Sequence, residues 1–326
     1  MQVKPVVRFP ALLLFLVLPF LTHNAHAQAS SPHAFTVVPL GVKGGLDESN
    51  LSTYLVAPTG SNAYVCLDAG SLQQGIEKAI ANKVFATSLD TVLRQYIRAY
   101  LLSHAHLDHV AGLLLHAPDD APKPIYALPE CIATLQASYF NWQAWPNFGN
   151  EGAKPALGKY QYQRLVPGQE TAQAGTGMSV RAFPLSHAAP HQSAAFLLKS
   201  QNSYLLYLGD TGADKLEKTH SLRALWQTIQ PLVVSRQLKA IFIEVSYPNE
   251  QPANQLFGHL TPTLLLQELA VLGQLTGAEA LRGLPVVITH IKPTAGNEAA
   301  IKKQLDDANK LQVKFVFPEQ GERLEF

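Results

Sequence analysis

The segment SHAHLDHVAGL gathers His104, His106, Asp108 and His109 into one short stretch directly after the apolar run AYLL. Neutral imidazoles and carboxylates are good ligands for Zn²⁺ and similar ions. In an extended segment His104 and His106 project to one side and can chelate one ion. Asp108 and His109, at the start of a following helix, can turn toward a second. Four ligands do not complete two coordination shells, so the remainder must come from elsewhere. Candidates stand at the exits of apolar runs: His187 beyond VRAFPL, Asp210 after YLLYLG, His290 after PVVIT and Asp68 after AYVCL. Singly, each of these would more often be a turn or core residue bonded to local backbone. Together with H-x-H-x-D-H they favour a metal site over that structural reading.

Short apolar or alternating runs at 35–40, 52–57, 63–67, 99–102, 160–166, 179–185, 194–198, 204–208, 240–245, 285–289 and 314–317 read as strands bounded by Gly, Pro, Ser or Asp. Helical patterns fall at 72–80, 89–97, 221–229, 262–272 and 297–309, with Thr87-Ser88 as caps for the second and Thr261 with Pro262 opening the fourth. Two mixed sheets packed face to face, with helices outside, absorb that order. No short-period repeat or Pro/Ser-rich linker divides the chain, so residues 28–326 are expected to form one domain. The stretch 139–159, rich in aromatics, Gly, Asn and Pro, reads as an insertion or lid.

The 326 residues carry 25 Lys+Arg against 24 Asp+Glu and are 47% hydrophobic, which excludes disordered, collagenous and coiled-coil chains. Residues 1–27 read as a secretory signal, with Lys4 and Arg8 in a basic n-region, an apolar run from Ala11 to Leu21 and the cleavage site Ala25-His26-Ala27. Export, to the periplasm in a Gram-negative host, follows as an expectation. Cleavage would leave a near-neutral chain without the bulk positive field that polyanion binders use. Neither the signal's apolar run nor any later one is long enough to span a bilayer, so no membrane anchor is expected after cleavage. The two cysteines, Cys66 and Cys131, form no disulfide framework or thiolate metal pattern, and buried free thiols are expected over a single bridge.

The ordered set Asp68, HAHLDH, His187, Asp210 and His290 resembles the motifs of the metallo-β-lactamase superfamily. HAHLDHVAGLLLHAP, with IEVSYPNEQ and LFGHLTP, resembles its class II cyclic-nucleotide phosphodiesterases, including exported bacterial members. The resemblance implies an αβ/βα sandwich with a dinuclear metal site along one edge. It implies one ion held by His104, His106 and His187, a second held by Asp108, His109 and His290, and Asp210 bridging them. Asp68 would orient a ligand or a water from outside the coordination sphere. Glu244 and His259 would be an accessory catalytic pair. The ions would be Zn, with Mn or Fe as alternatives.

Two cations about 3.5–4 Å apart acidify a water between them and neutralise charge on a phosphoryl group. A 3′,5′-cyclic nucleotide, cAMP or cGMP, is the implied substrate. His259, held by Glu244, could protonate the departing 3′-oxygen to give the nucleoside 5′-monophosphate. Another hydrolase of the same fold (lactonase, β-lactamase or RNA endonuclease) and a non-catalytic metal-binding protein are the competing functions. Export and near-neutral charge argue against RNA processing, and no stable nucleic-acid partner is expected. The sequence does not fix the oligomeric state, a homodimer included.

Other residues are assigned less. His116 reads as a helix-end residue, and His33 and His220 lie in polar surroundings. His191 in AAPHQS reads as a surface turn near His187. The cluster Tyr139, Phe140, Trp142, Trp145 and Phe148 could stack on a purine, but a satellite core or a partner-binding surface is preferred.

Overall fold

A computed structural model describes residues 1–6 and 33–326. Most of the expected signal segment lies outside the described residues, and Met1–Val6 form no helix or strand. His33–Phe326 form one compact unit by their contacts.

In chain order the elements begin with β1 (Phe35–Gly41), β2 (Thr53–Pro58), β3 (Tyr64–Leu67), α1 (Gln73–Ala81), α2 (Leu89–Thr91) and β4 (Ile97–Leu102). There follow α3 (Leu107–His116), β5 (Lys123–Ala127), α4 (Pro129–Thr134), β6 (Tyr160–Arg164), β7 (Thr171–Gln173), β8 (Met178–Ser186), β9 (Gln192–Ser200) and β10 (Ser203–Leu208). The rest are α5 (Asp214–Glu217), α6 (Ser221–Val234), β11 (Leu238–Glu244), α7 (Pro262–Thr276), α8 (Ala278–Leu281), β12 (Pro285–Thr289), α9 (Asn297–Ala308), β13 (Lys314–Val316) and β14 (Leu324–Glu325).

Two seven-stranded sheets result, ordered β14-β1-β2-β3-β4-β5-β6 and β13-β12-β11-β10-β9-β8-β7. Strand alternation sorts their side chains into three apolar layers. On β2, Tyr54 and Val56 face the layer between the sheets, while Leu55 and Ala57 face the layer under α1 and α3. On β11, Ala240 and Phe242 face the inter-sheet layer, while Ile241 and Ile243 pack under α6 and α7. Strands buried on both faces read as continuous apolar runs, which is why AIFI and YLLYL carry no polar alternation. Each fully buried Leu or Phe contributes about 1.5–3 kcal/mol. At the centre Tyr54 meets Tyr207 and Phe242 with ring centroids 5.8 and 5.6 Å apart. This is the αβ/βα sandwich that the sequence led us to expect.

The differences are local. The helix expected over 89–97 is a single α-turn capped by Ser88, then a wider π-helical turn over Val92–Tyr96, and Ile97 already belongs to β4. The wider turn buries the adjacent Val92 and Leu93 together. The helix expected to stop at Ile229 runs to Val234 with Pro231 inside it. Pro231 has no N–H to bond the Gln227 carbonyl one turn back, and the burial of Trp226, Ile229 and Val233 around it offsets that loss. Strand β5 escaped the sequence reading because KPIYA opens on a charge and a Pro; Lys123 is buried there against Asp120 at 2.7 Å. Cys66 and Cys131 are free and buried. No helix among the described residues is long and apolar enough to cross a membrane.

In the first sheet β3 to β6 run parallel, and in the second β10 to β13 do so. Their carboxyl ends therefore share an edge of each sheet, the usual place for a site in α/β proteins.

Candidate active site

Every candidate residue lies on a loop or helix start beyond such a strand end, or ends the strand itself. Asp68 follows β3, His104 and His106 follow β4, His187 follows β8, Asp210 follows β10, Glu244 ends β11 and His290 follows β12. His106 stands immediately before α3 in extended conformation, so Asp108 and His109 occupy its first turn. Asp108 is favoured there by the positive end of the helix. Asp68 and His290 have φ of 53° and 60°, a region that non-glycine residues seldom adopt and that tends to mark functional sites.

Asp210 Oδ2 is the centre of the cluster. It lies 3.1 Å from His290 Nε2, 3.3 Å from His109 Nε2 and 3.8 Å from the Nε2 atoms of both His104 and His187. Asp108 Oδ2 reaches His290 Nε2 at 3.2 Å. Among the described residues, five groups could each hold an ion, with ligand atoms within 4.8 Å of one another. Two of them, His104/His106/His187 and Asp108/His109/His290, are the two sets implied by the sequence resemblance. The others join His104, His109 and Asp210; His187, Asp210 and His259; and Glu244, His259 and His290.

The imidazoles are held from behind. Nδ1 of His109 meets Asp68 Oδ2 at 2.8 Å, and that of His187 meets the Gly258 carbonyl at 3.0 Å. Nδ1 of His104 meets Ser103 Oγ at 3.0 Å, and that of His290 meets Ser246 Oγ at 2.9 Å. Both hydroxyls already donate to carboxylates, Ser103 to Asp68 at 2.8 Å and Ser246 to Glu244 at 2.6 Å. They are therefore set to accept from the rings, and four Nε2 atoms are turned toward Asp210. Such partners fix the tautomer and aim of metal-binding histidines. His104 Nε2 is buried with no hydrogen-bond partner among the described residues. Buried polar atoms seldom stay unpartnered, and a divalent cation fits this donor set.

Asp68 is fully buried and accepts four hydrogen bonds: from the Ser103 amide and hydroxyl, His109, and the Tyr207 hydroxyl at 2.6 Å. Glu244, also fully buried, accepts His259 Nδ1–H at 2.8 Å, the Thr211 amide at 3.0 Å, the Ser246 hydroxyl and the Leu260 amide. His259 Nδ1 is 3.8 Å from Asp210 Oδ2, and its ring stacks on His290 with centroids 5.1 Å apart. Gly258 has φ of 78°, and a Cβ there would lie 2.3 Å from the Ala188 backbone nitrogen, so this close approach of loops requires glycine.

The charges follow the contacts. Burial, reinforced by His187 and His109, pushes His106 down to about 4, and burial holds His104 well below its usual value. Neutral rings of this kind are ready ligands. Burial opposes protonation of His109, yet the carboxylates of Asp210 and Asp68 outweigh it and hold its pKa well above the ordinary value. Burial likewise opposes protonation of His259, but Glu244 raises it. Burial would raise Glu244, and the partnership with His259 outweighs it to give a net lowering.

Two uncertain sequence readings resolve into mixed outcomes. His191 does sit in a turn and is exposed, but its ring centroid is 5.5 Å from that of His106. Among the aromatics, Phe140 and Phe148 are buried in the core, whereas Trp142 and Trp145 are exposed. Tyr139 donates its hydroxyl to the Ala105 carbonyl at 2.9 Å beside the site. Ser103, Ser246 and Tyr207 were not anticipated. Only the adjacency of the two serines to SHAHLDH and EVSYP could have flagged them.

The model of a family described as class-II cAMP phosphodiesterases matches residues 34–321. A "3′,5′-cyclic-nucleotide phosphodiesterase" of Aliivibrio fischeri is 44% identical, covering 90% of this chain and 93% of its own. The crystal structure of unliganded yeast PDE1 superimposes with a TM-score of 0.81 at 22% identity, over 90% of this chain and 100% of its own. A metallo-beta-lactamase fold protein of Bacillus subtilis, YhfI, aligns with a TM-score of 0.58 at 16% identity, over 89% of this chain and 99% of its own. With the family match spanning nearly all of the described compact unit, the chain belongs to the class-II cAMP phosphodiesterase family.

Proposed function

We propose that the chain hydrolyses 3′,5′-cyclic nucleotides to nucleoside 5′-monophosphates at a two-metal site. The observation that carries this reading is the convergence of four histidine Nε2 atoms on Asp210, each ring held from behind. His104, His106 and His187 would hold one ion, Asp108, His109 and His290 the other, and Asp210 would touch both. Zn²⁺ suits imidazole with carboxylate ligands, with Mn²⁺ or Fe²⁺ as alternatives. Such ions supply Lewis acidity and acidify a water.

The protein's own part is orientation and proton delivery. Asp68, Ser103, Ser246 and the Gly258 carbonyl fix the rings. Glu244 aligns His259 through Nδ1 and favours its protonated form, so a proton on Nε2 is available for the leaving 3′-oxygen. Purified protein loaded with Zn²⁺ or Mn²⁺ should release 5′-monophosphate from cAMP or cGMP and leave a lactone and a β-lactam intact. Hydrolysis of those two alone would overturn the reading.

Export is part of the same proposal. The signal-like segment supports cleavage after Ala27 and a periplasmic enzyme in a Gram-negative host. N-terminal sequencing of the secreted form should begin at Gln28, and an active cytoplasmic form retaining Met1 would refute it.

A further inference from the structure

Several clefts among the described residues offer room beside or beyond the cluster. One, about 630 Å³ between α5, α6 and α7, includes none of the clustered residues among its lining. A second, about 370 Å³, is walled by Lys43, Lys292 and the start of α9 and has no aromatic side chain. A third, about 310 Å³, opens directly from His104 and His106. Its far wall is Glu130, Cys131 and Thr134 of α4 with Tyr139, and its near wall is the Pro190–Gln192 turn.

That third cleft has the parts of a base-binding pocket. Its volume sits at the lower end of small-molecule sites, about 300–1,000 Å³. Tyr139 is fixed by its bond to the Ala105 carbonyl, and His191 faces the cleft from the opposite loop. Both are aromatic, and any base can stack on an aromatic face. The Glu130 carboxylate and the Gln192 amide line the cleft and make no hydrogen bond or ion pair with described residues of the protein. They are free to meet a ligand. A carboxylate only accepts hydrogen bonds. The pairing edge of guanine offers N1–H and N2–H side by side, which match its two oxygens. The same edge of adenine places the bare N1 acceptor beside N6–H, and that acceptor opposes the carboxylate.

We infer that the cleft between α4 and the Pro190–Gln192 turn is the purine subsite, and that Glu130 biases it toward guanine. This rests on the phosphodiesterase reading, because the phosphate must lie at His104 and His106 for the base to reach α4. Glu130 becomes the specificity-determining residue, with Tyr139 and His191 as stacking faces.

The test is the ratio of kcat/KM for cGMP to that for cAMP, in which any general loss of activity cancels. Glu130→Gln should lower this ratio about tenfold, the scale of one bidentate base contact. A ratio within twofold of wild type overturns the assignment of Glu130. Calorimetric binding of 5′-GMP and 5′-AMP to the metal-loaded protein gives a second readout that needs no turnover. Wild type should prefer 5′-GMP, and Glu130→Gln should lose that preference; equal binding of both by wild type overturns the inference. If neither cyclic nucleotide is hydrolysed while the 5′-GMP preference is present and lost in the variant, the pocket stands and the catalytic reading fails.

Discussion

The two halves of the chain contribute to the same cluster in different ways. In the first half one turn and the start of α3 supply His104, His106, Asp108 and His109, and Asp68 pins this unit from the neighbouring strand. In the second half His187, Asp210, Glu244, His259 and His290 come from separate strand ends and one loop, with long stretches of chain between them. Local geometry sets the first group. Sheet register, propagated through the parallel pairing of β10, β11 and β12, sets the second. Damage to a second-half residue therefore has fewer neighbours in sequence to compensate for it.

Asp210→Ala gives the largest effect expected. It removes the carboxylate nearest four rings, so both metal content and hydrolysis should be lost together, measured by metal analysis and product formation on one sample. Retention of two ions per chain would contradict the bridging role. Next in size is His259→Ala, which should keep the metals and lower turnover by about 10²–10⁴-fold, as loss of a general acid does. The deficit should shrink with a nitrophenyl phosphodiester, whose leaving group needs no proton. Equal losses on both substrates would make His259 a ligand or a structural residue.

The serines compare the halves directly. Ser246→Ala strips His290 Nδ1 of its partner and removes a donor to Glu244, and should weaken metal binding by about 10–100-fold, with Ser246→Thr restoring much of it. Ser103→Ala should cost less, since Asp68 still holds His109 and still receives the Ser103 amide. A chelator competition series would rank them; the reverse order would remove the contrast between the halves.

The smallest effect is the slope of affinity with pH. His109 has its pKa raised above the ordinary value in the metal-free protein, and a metal must displace that proton. Affinity should therefore rise with pH and weaken as pH falls, with protons released into a weakly buffered solution on binding. No proton release would place His109 neutral before the metal arrives.

Much of this was legible in the sequence because alternation and apolar runs report burial, and the three layers follow from it. The first-half ligands were legible because they are contiguous. The second-half ligands were single residues after strands and acquired meaning only when set beside the motif. Ser103, Ser246, Tyr207 and the Gly258 carbonyl could not be read from residue type, since a serine hydroxyl or a backbone oxygen looks the same anywhere. Their roles come from distances across the fold. The wider turn at Val92–Tyr96 and the buried Lys123 were likewise hidden, because tertiary packing overrode local preference there.

The bond from the Tyr207 hydroxyl to Asp68 has a consequence for how the protein can breathe. Tyr207 belongs to one sheet and Asp68 follows a strand of the other, so this buried bond pins the two layers together like a dowel. A clamshell motion of the sheets would have to strand a carboxylate away from water, a costly step. Access to the cluster then falls to the cleft and loops at the strand ends, while the two sheets stay together. The Ser103 amide, bonded to the same carboxylate, should exchange with solvent hydrogen only when the whole domain opens.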